Sequence, residues 1–217
     1  MSSRPPNLTF KLVLLGDGRV GKTSLVLRYV NNVFSEKQEA TVQAFYLKKH
    51  LVIEGVPVTL SIWDTAGQER FHALGPIYYR DADAALLVYD ITDNDSFLRV
   101  RKWVKELQQM ASKDIVMAIA ANKSDLVRSK KYDIQEAESY AATIGSKIFV
   151  TSAKSGTGVD EVFIDITTHN RYVLLYTTHC GRPHTLWRPV KASLEVYVSA
   201  SCSQIKMFGR IFVLPKI

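Results

Sequence analysis

The sequence predicts an α/β fold, with a six-stranded, mostly parallel sheet, one antiparallel edge strand and helices on both faces. Six short apolar runs alternate along the chain with segments compatible with helix, which is typical of a parallel sheet wound by helices. A Glu54-Gly55 turn separates the second run from the third. Because that connection is too short for a crossover, these two strands form a hairpin.

The elements follow one another in a regular order along the chain. The predicted strands are LTFKLVLL, AFYLKKHLVI, VTLSIW, AALLVYD, IVMAIAA and KIFV. Helices are expected to begin at Gly21, around Gly67, at Asp95-Ser96, at Ile134 and at Val159. The segment SFLRVRKWVKELQQM has apolar residues at helical spacing, which places Trp103 in the core. Ligands of such sheets bind at the carboxyl ends of the strands.

The first strand runs directly into the segment GDGRVGKT, residues 16–23. This segment fits the phosphate-binding pattern of Gly, four residues, Gly-Lys and then Ser or Thr. Its glycines allow backbone N–H groups to wrap phosphate oxygens, and Lys22 adds a positive charge. The Thr23 hydroxyl suits Mg²⁺, and the following helix directs its positive end at the phosphates. The candidate nucleotide-binding residues are Gly18, Arg19, Val20, Gly21, Lys22, Thr23 and Ser24.

An ordinary glycine-rich turn that caps a helix is the alternative interpretation of this loop, but it leaves Lys22 without a role. Arg19 also has a plain interpretation, as a solvated side chain.

The third strand leads into WDTAGQE, residues 63–69. Asp64 stands at the strand end, where a carboxylate can hold a metal through water. Gly67 can offer its N–H to a γ-phosphate, and Gln68 can orient an attacking water. The segment therefore predicts a hydrolytic site with Gln68 and Lys22 as its catalytic residues.

Two later segments predict which base is bound. NKSD, residues 122–125, follows the fifth strand, and its Asp125 carboxylate can accept from the N1–H and exocyclic amine of guanine. Adenine lacks that pair of donors, and sites of this kind discriminate strongly. Ser152, Ala153 and Lys154 follow the last strand and can close over the base through a backbone N–H. Each short motif alone is weak, but all four occur in order after apolar strands.

Residues 8 to about 166 resemble the Rab family of small GTPases, within the Ras superfamily. The segments QERF, YYR and LVYDITD carry the resemblance, and FHALGPIYYRDADAALLVYDITD is similar to the endosomal branch. The resemblance implies a P-loop small GTPase domain that binds GTP or GDP with Mg²⁺ and hydrolyses GTP. It implies a switch in vesicle and endosomal membrane traffic that works through effector binding.

The resemblance also implies roles for individual residues. Phe34 matches the family's aromatic at the edge of the base, and Thr41 would ligate Mg²⁺ and sense the γ-phosphate. Thr23 would be the other protein ligand of the metal, with Asp64 behind it. Guanine would be held by a set from the two loops at the ends of the last strands: Asn122, Lys123, Asp125, Ala153 and Lys154.

Three aromatic residues, Tyr46, Trp63 and Tyr78, match the trio that Rab effectors bind; ordinary core packing is the alternative interpretation. Gln43 replaces a common small residue in TVQAFY, so effector choice is expected to differ. The family implies effectors, an exchange factor and a GTPase-activating protein as partners. Intrinsic hydrolysis is expected to be slow, because no arginine finger is evident within the chain.

Composition supports a single soluble domain, and the protein is expected to be a cytoplasmic monomer. The chain has 217 residues, of which 47% are apolar and 23% charged, enough for a sizeable core. No apolar run approaches the length of a membrane span, the start lacks the pattern of a signal peptide, and Ser2 excludes N-myristoylation. Both cysteines, Cys180 and Cys202, come late, which suits a reducing compartment.

The sequence divides into residues 1–7, a GTPase domain over 8–166, and an atypical segment over 167–217. That last segment has seven basic residues and one acidic residue, and its composition predicts a truncated or altered last helix. Without terminal cysteines for prenylation, membrane association is doubtful, so this form is expected to be mainly cytosolic although its family occurs on endosomes. An alternative or mis-predicted terminal exon is one explanation, and a functional tail is the other.

Other functions fit the sequence less well. His169, His179, His184 and Cys180 fit no common zinc spacing. The modest basic excess, without a repeated motif, argues against a nucleic-acid partner. A nucleotide-binding protein that does not switch, destabilised by its C-terminal segment, stays an alternative. A P-loop kinase or ATPase is the other, and the Asp125 pattern argues against it.

Overall fold

The computed structural model describes residues 8–42, 44–67, 78–127 and 134–180, with side chains to residue 170. By its contacts the chain divides into one unit over residues 1–183 and a second over 184–217. The second unit lies outside the described residues.

One six-stranded sheet forms the centre of the first unit, with strand order β2-β3-β1-β4-β5-β6. Only β2 and β3 pair antiparallel, and the other neighbouring pairs are parallel. This arrangement confirms the predicted fold class and its antiparallel edge strand. The strands are β1 (Leu8–Leu15), β2 (Phe45–Ile53), β3 (Val56–Asp64), β4 (Ala84–Asp90), β5 (Val116–Asn122) and β6 (Lys147–Val150).

The burial of each strand follows its place in the sheet. Residues 12–15 of β1 and 84–89 of β4 are buried without interruption, because helices cover both faces of the central strands. Strand β2 alternates between half-buried and exposed residues, as expected for an edge strand with one solvated face. The continuous apolar runs of the sequence therefore mark the middle of the sheet.

Four α-helices surround the sheet among the described residues: α1 (Lys22–Asn31), α2 (Asn94–Met110), α3 (Gln135–Thr143) and α4 (Val159–Cys180). A short 3-10 turn covers Ser124–Leu126. The helix α2 begins with a capping bond, in which the Asp93 side chain accepts from the Asp95 N–H at 3.0 Å. The helix predicted around Gly67 falls mainly on residues 68–77, outside the described part of the chain.

Two hydrophobic clusters form the core, one on each side of the sheet. The first joins β1 and β3 to α1 and α4, and the Tyr29 and Phe163 rings stack there with centroids 4.1 Å apart. The second joins β4 and β5 to α2 and α3 and contains Trp103, which is 8% exposed. The core position predicted for Trp103 is confirmed.

The last helix continues past residue 166, where the sequence predicted that it would be truncated or altered. Val162, Phe163 and Ile166 are buried, and the same face continues through buried Thr167 and Asn170. The Thr167 hydroxyl donates to the Phe163 carbonyl at 2.6 Å, which satisfies a polar group inside the core. A search for an apolar stripe misses this continuation because its later members are polar.

None of the described helices is long and apolar enough to cross a membrane. Within the described residues, no group of His, Cys, Asp and Glu is placed to hold a metal ion.

Candidate nucleotide-binding site

The loop between β1 and α1 has a backbone that only glycine accommodates at two points. Gly16 has φ of 144°, and a Cβ atom there would lie 2.2 Å from the Val88 carbonyl oxygen. Gly21 has φ of 96°, and its Cβ would lie 2.4 Å from the Asn122 amide nitrogen. The loop is therefore pressed against the ends of β4 and β5, with backbone N–H groups at the start of a helix, an arrangement suited to phosphate.

Most other predicted loop residues lie in or beside this turn. Gly18 is half-buried and Val20 is buried, while Thr23 and Ser24 form the first turn of α1. Arg19 is exposed, with a positive φ of 66°, in agreement with its plain interpretation as a solvated side chain.

Lys22 is buried at the centre of the loop. Its Nζ donates to the Gly16 carbonyl at 2.8 Å and to the Asp17 carbonyl at 2.9 Å. Burial lowers the pKa of Lys22 to about 8, against the attraction of Asp64. A Cβ atom on Gly67 would lie 2.3 Å from this Nζ, so Gly67 packs directly on the lysine. A buried ammonium group beside a loop of N–H donors is suited to phosphate oxygens.

Three oxygen-bearing side chains from separate segments converge next to Lys22. The Thr23 hydroxyl donates to Asp64 Oδ2 at 2.5 Å and lies 2.6 Å from the Thr41 hydroxyl. Asp64 is buried, its pKa is raised by that burial to about 6, and its Oδ1 has no hydrogen-bond partner among the described residues. Hydroxyl and carboxylate oxygens with one unpartnered acceptor form a donor set that fits Mg²⁺.

Asn122 connects the phosphate loop to the loop that follows β6. Its side-chain N–H donates to the Val20 carbonyl at 2.8 Å, and its Oδ1 accepts from the Ala153 N–H at 3.3 Å. The Asn122 amide is thus hydrogen-bonded within the protein, where it links the phosphate loop to the loop that follows β6.

The predicted base-binding residues lie around Asn122. Asp125 is exposed, and its Oδ1 accepts from the buried Ser152 hydroxyl at 2.5 Å. Lys123 has a positive φ of 67°, and its Nζ pairs with Asp90 at 2.7 Å. A carboxylate held by one oxygen at the surface leaves acceptor capacity for a base.

The segment after α1 approaches the same loop from the other side. Glu36 pairs with Lys154 at 2.6 Å, and this contact holds the pKa of the Glu36 carboxyl below its usual range. Phe34 is half-buried against the first core cluster. The structure therefore brings the residues predicted for guanine to one end of the sheet.

The three predicted effector aromatics form a continuous row. The ring centroids of Tyr46 and Trp63 are 5.3 Å apart, and those of Trp63 and Tyr78 are 6.3 Å apart. Tyr46 is 41% exposed, whereas Trp63 and Tyr78 are half-buried against the second core cluster. Tyr46 thus faces solvent instead of packing in the core. Its ring contacts that of Trp63, which in turn contacts Tyr78.

Two arginines near the site carry no sequence signal. Arg99, on α2, forms an ion pair with Asp17 of the phosphate loop. Arg28, on α1, donates to the loop that follows β6. Both contacts join residues that are far apart in the sequence, so no local sequence pattern contains both partners. Gln68 and Gln43 lie outside the described residues.

Comparison with known proteins agrees with this geometry. Residues 11–171 match the Ras family model. Ras-related protein Rab-21 of Homo sapiens is 58% identical over 158 residues, which are 73% of this chain and 70% of that protein. Ras-related protein Rab-21 of Bos taurus is 58% identical, over 73% of this chain and 71% of its own length. Ras-related protein Rab-21 of Dictyostelium discoideum is 52% identical over 159 residues, covering 73% of this chain and 75% of its own.

Members of this family bind GTP, GDP and Mg²⁺, hydrolyse GTP, and work with effectors, exchange factors and GTPase-activating proteins. The chain belongs to the Ras family and, within it, to the endosomal branch of the Rab GTPases, the GTP-dependent switches of membrane traffic.

Proposed function

We propose that Thr41 and Gly67 are the two contacts through which this Rab GTPase distinguishes GTP from GDP. Each belongs to a different segment, and both segments meet at the phosphate loop. With GTP, the Thr41 hydroxyl would be held by the metal and the Gly67 N–H by the γ-phosphate, and effectors would bind the ordered form. With GDP, both contacts would be lost and the two segments released.

The observation that carries this proposal is the contact of Thr23, Thr41 and Asp64. The Thr41 hydroxyl lies 2.6 Å from that of Thr23, although most of α1 and a loop separate the two residues in the sequence. The unpartnered Asp64 Oδ1 faces no protein donor among the described residues. The segment that contains Thr41 thus reaches the donor set that fits Mg²⁺, where a bound metal would be a further partner for the Thr41 hydroxyl.

The residues of the chain divide the chemistry among them. Lys22 and the N–H groups of the loop would bind phosphate oxygens and stabilise the charge that develops on them. Gln68 would orient the attacking water. Mg²⁺, when bound by Thr23 and Thr41, supplies positive charge to the phosphates, while Asp64 fixes the position of the metal site.

We also propose that intrinsic hydrolysis is slow. Arg19 is exposed to solvent and Arg99 is paired with Asp17, so we expect neither to supply an arginine finger within the chain. A GTPase-activating protein would supply the missing positive charge, which in such enzymes contributes roughly 10³- to 10⁵-fold in rate. Tyr46, Trp63 and Tyr78 are proposed as the surface that effectors bind.

Gln68→Leu should leave GTP binding intact and reduce activator-stimulated hydrolysis by on the order of 10²-fold or more, because the water loses its orienting partner. Single-turnover phosphate release from preloaded GTP, with a Rab GTPase-activating protein in excess, measures this effect. Gln108→Leu, the same change on the exposed face of α2, is the matched control and should hydrolyse at the wild-type rate. Equal stimulated rates for the wild type and Gln68→Leu would show that Gln68 has no such role.

We propose endosomal membranes as the place of action, with the 217-residue chain by itself mainly in the cytosol. Attraction to an anionic surface contributes about 1 kcal/mol per basic residue close to the membrane. The seven basic residues after residue 166 are spread along the sequence, with Pro183, Pro189 and Pro215 among them, so we do not expect them to act together at a membrane.

Cells that express the 217-residue chain should therefore contain most of it in the soluble fraction after centrifugation. Membrane association that persists in high salt would contradict this prediction, because electrostatic attraction is screened at high ionic strength.

A further inference from the structure

Arg28 bridges the phosphate-binding helix and the loop that closes over the base. Its Nε donates to the Ala153 carbonyl at 2.8 Å, and its Nη2 donates to the next carbonyl, that of Lys154, at 2.7 Å. On its other side, Nη1 donates to the Asn32 side-chain oxygen at 3.0 Å. The guanidinium group thus donates to two consecutive carbonyls of one loop and, on its other side, to Asn32 at the end of α1.

The backbone conformation at Asn32 orients the side chain that contacts Arg28. Asn32 ends α1 in the left-handed region, with φ of 55°, and its N–H bonds back to the Arg28 carbonyl at 3.0 Å. This conformation is accessible to Asn and turns the side chain toward the arginine. Asn32 therefore holds the Arg28 guanidinium group from the side opposite the base loop.

Arg28 binds the 152–154 loop, which also contacts two residues of the proposed guanine site. The Ser152 hydroxyl donates to Asp125, and the Ala153 N–H donates to Asn122. A displacement of Ala153 and Lys154 would therefore move the partner of Asp125 as well. No phosphate-loop or metal-site residue takes part in these bonds, apart from the link of Asn122 to Val20.

We propose that Arg28 is a positioning residue for guanine, which fixes the 152–154 loop against the base and thereby slows nucleotide release. The inference rests on the proposed guanine site and adds a residue to it. Lys22 and Thr23 begin the same helix, and Arg28 lies about 9 Å from Lys22 along the helix axis at 1.5 Å per residue. The first turn of this helix thus carries the proposed phosphate contacts, and Arg28 supports the base loop further along.

An arginine is suited to this role because its planar fork presents several N–H donors in fixed directions. Lysine carries the same charge, but its ammonium group is a compact point charge that cannot reproduce the two parallel bonds. Arg28→Lys should consequently keep part of the effect, and Arg28→Ala should lose it.

GDP release from the purified full chain tests the proposal. The protein is loaded with a fluorescent GDP derivative, and dissociation is followed after addition of excess unlabelled GDP, once with Mg²⁺ and once with EDTA. Arg28→Ala should release GDP about tenfold faster than the wild type, which corresponds to about 1.4 kcal/mol. Arg28→Lys should fall between them, at about threefold. Both ratios should be the same in EDTA, because the contact lies on the base side.

Arg101→Ala is the matched control. Arg101 lies on α2, pairs with Glu136, and packs on the rings of Phe97 and Tyr140, so this variant removes a partnered arginine away from the nucleotide. It should release GDP at the wild-type rate. If Arg101→Ala released GDP as fast as Arg28→Ala does, the proposal would be overturned, because both changes would then act through a general loss of stability.

The remaining outcomes are equally decisive. Wild-type release from Arg28→Ala, or an acceleration that disappears in EDTA, would overturn the proposal, and so would a lysine variant as fast as the alanine variant. If Arg28→Ala does not fold, the lysine variant decides alone: about threefold faster release supports the role, and the wild-type rate overturns it. Failure of the wild type to bind GDP would instead contradict the proposed function.

Discussion

Asp125→Asn should reverse the base preference of this GTPase, lowering its affinity for GTP by on the order of 10³-fold or more and favouring xanthosine triphosphate. The Asp125 carboxylate offers acceptors only, which match the N1–H and exocyclic amine of guanine. An asparagine presents a donor where the carboxylate accepted, and xanthine carries a carbonyl in place of the amine. The bond from Ser152 to Asp125 can be kept by the asparagine oxygen, so the loop should stay in place.

Competition of each triphosphate against fluorescent GDP measures this change, with Asp114→Asn as the matched control. Asp114 is exposed before β5, away from the site, so the same chemical substitution there should leave GTP affinity unchanged. If Asp125→Asn binds GTP as tightly as the wild type, the assignment of Asp125 to guanine is wrong.

Lys22→Ala should reduce the affinity for GDP and GTP by on the order of 10²-fold or more, since it removes a buried cation that binds phosphate oxygens by charge-assisted bonds. The loss should be similar for both nucleotides and for xanthosine triphosphate in the Asp125→Asn background, because it concerns the phosphates and not the base. Titration calorimetry with GDP and Mg²⁺ measures the effect.

Removing Lys22 also leaves the Gly16 and Asp17 carbonyls without their donor, so the thermal unfolding of the nucleotide-free variant needs to be measured beside its affinity. Lys105→Ala, on the exposed face of α2, is the matched control and should bind GDP as the wild type does. Unchanged GDP affinity in a folded Lys22→Ala protein would contradict the phosphate-binding role of this loop.

The sheet and most helix starts could be predicted from the sequence because burial in a parallel sheet leaves a direct pattern. Residues 12–15 of β1, 84–89 of β4 and 118–121 of β5 are buried on both faces, so they appear as uninterrupted apolar runs. The Glu54-Gly55 turn predicted the single antiparallel pair, and both residues have positive φ. Helix α2 begins at Asn94, beside the predicted Asp95-Ser96.

The length of the last helix could not be predicted in the same way. Its inner face changes from apolar to polar at Thr167 and Asn170, both of which are buried. Periodicity detects hydrophobic residues, and it does not detect a hydroxyl whose hydrogen bond to Phe163 makes its burial tolerable. The division of the chain at residue 166 therefore stays a prediction, and the helix itself extends to Cys180.

Within the site, the residues proposed to contact ligands follow from the sequence more directly than those proposed to position them. Lys22, Asp64 and Asp125 belong to short local patterns with a chemical reason for each residue type. The roles of Asn122 as a connector and of Arg28 as a support arise from hydrogen bonds across more than a hundred residues, at sequence separations of 102 and 125. No local pattern contains those partners.

The central claim is that Thr41 and Gly67 bind differently in the GTP and GDP states. Amide hydrogen exchange of the full chain, loaded with a non-hydrolysable GTP analogue or with GDP in the presence of Mg²⁺, measures it most directly. A GTP-dependent switch predicts slower exchange with the analogue in the segment from Phe34 to Tyr46 and around Gly67, with equal exchange in β5 and α2. Equal exchange in both switch segments, with both nucleotides shown to be bound, would contradict the claim.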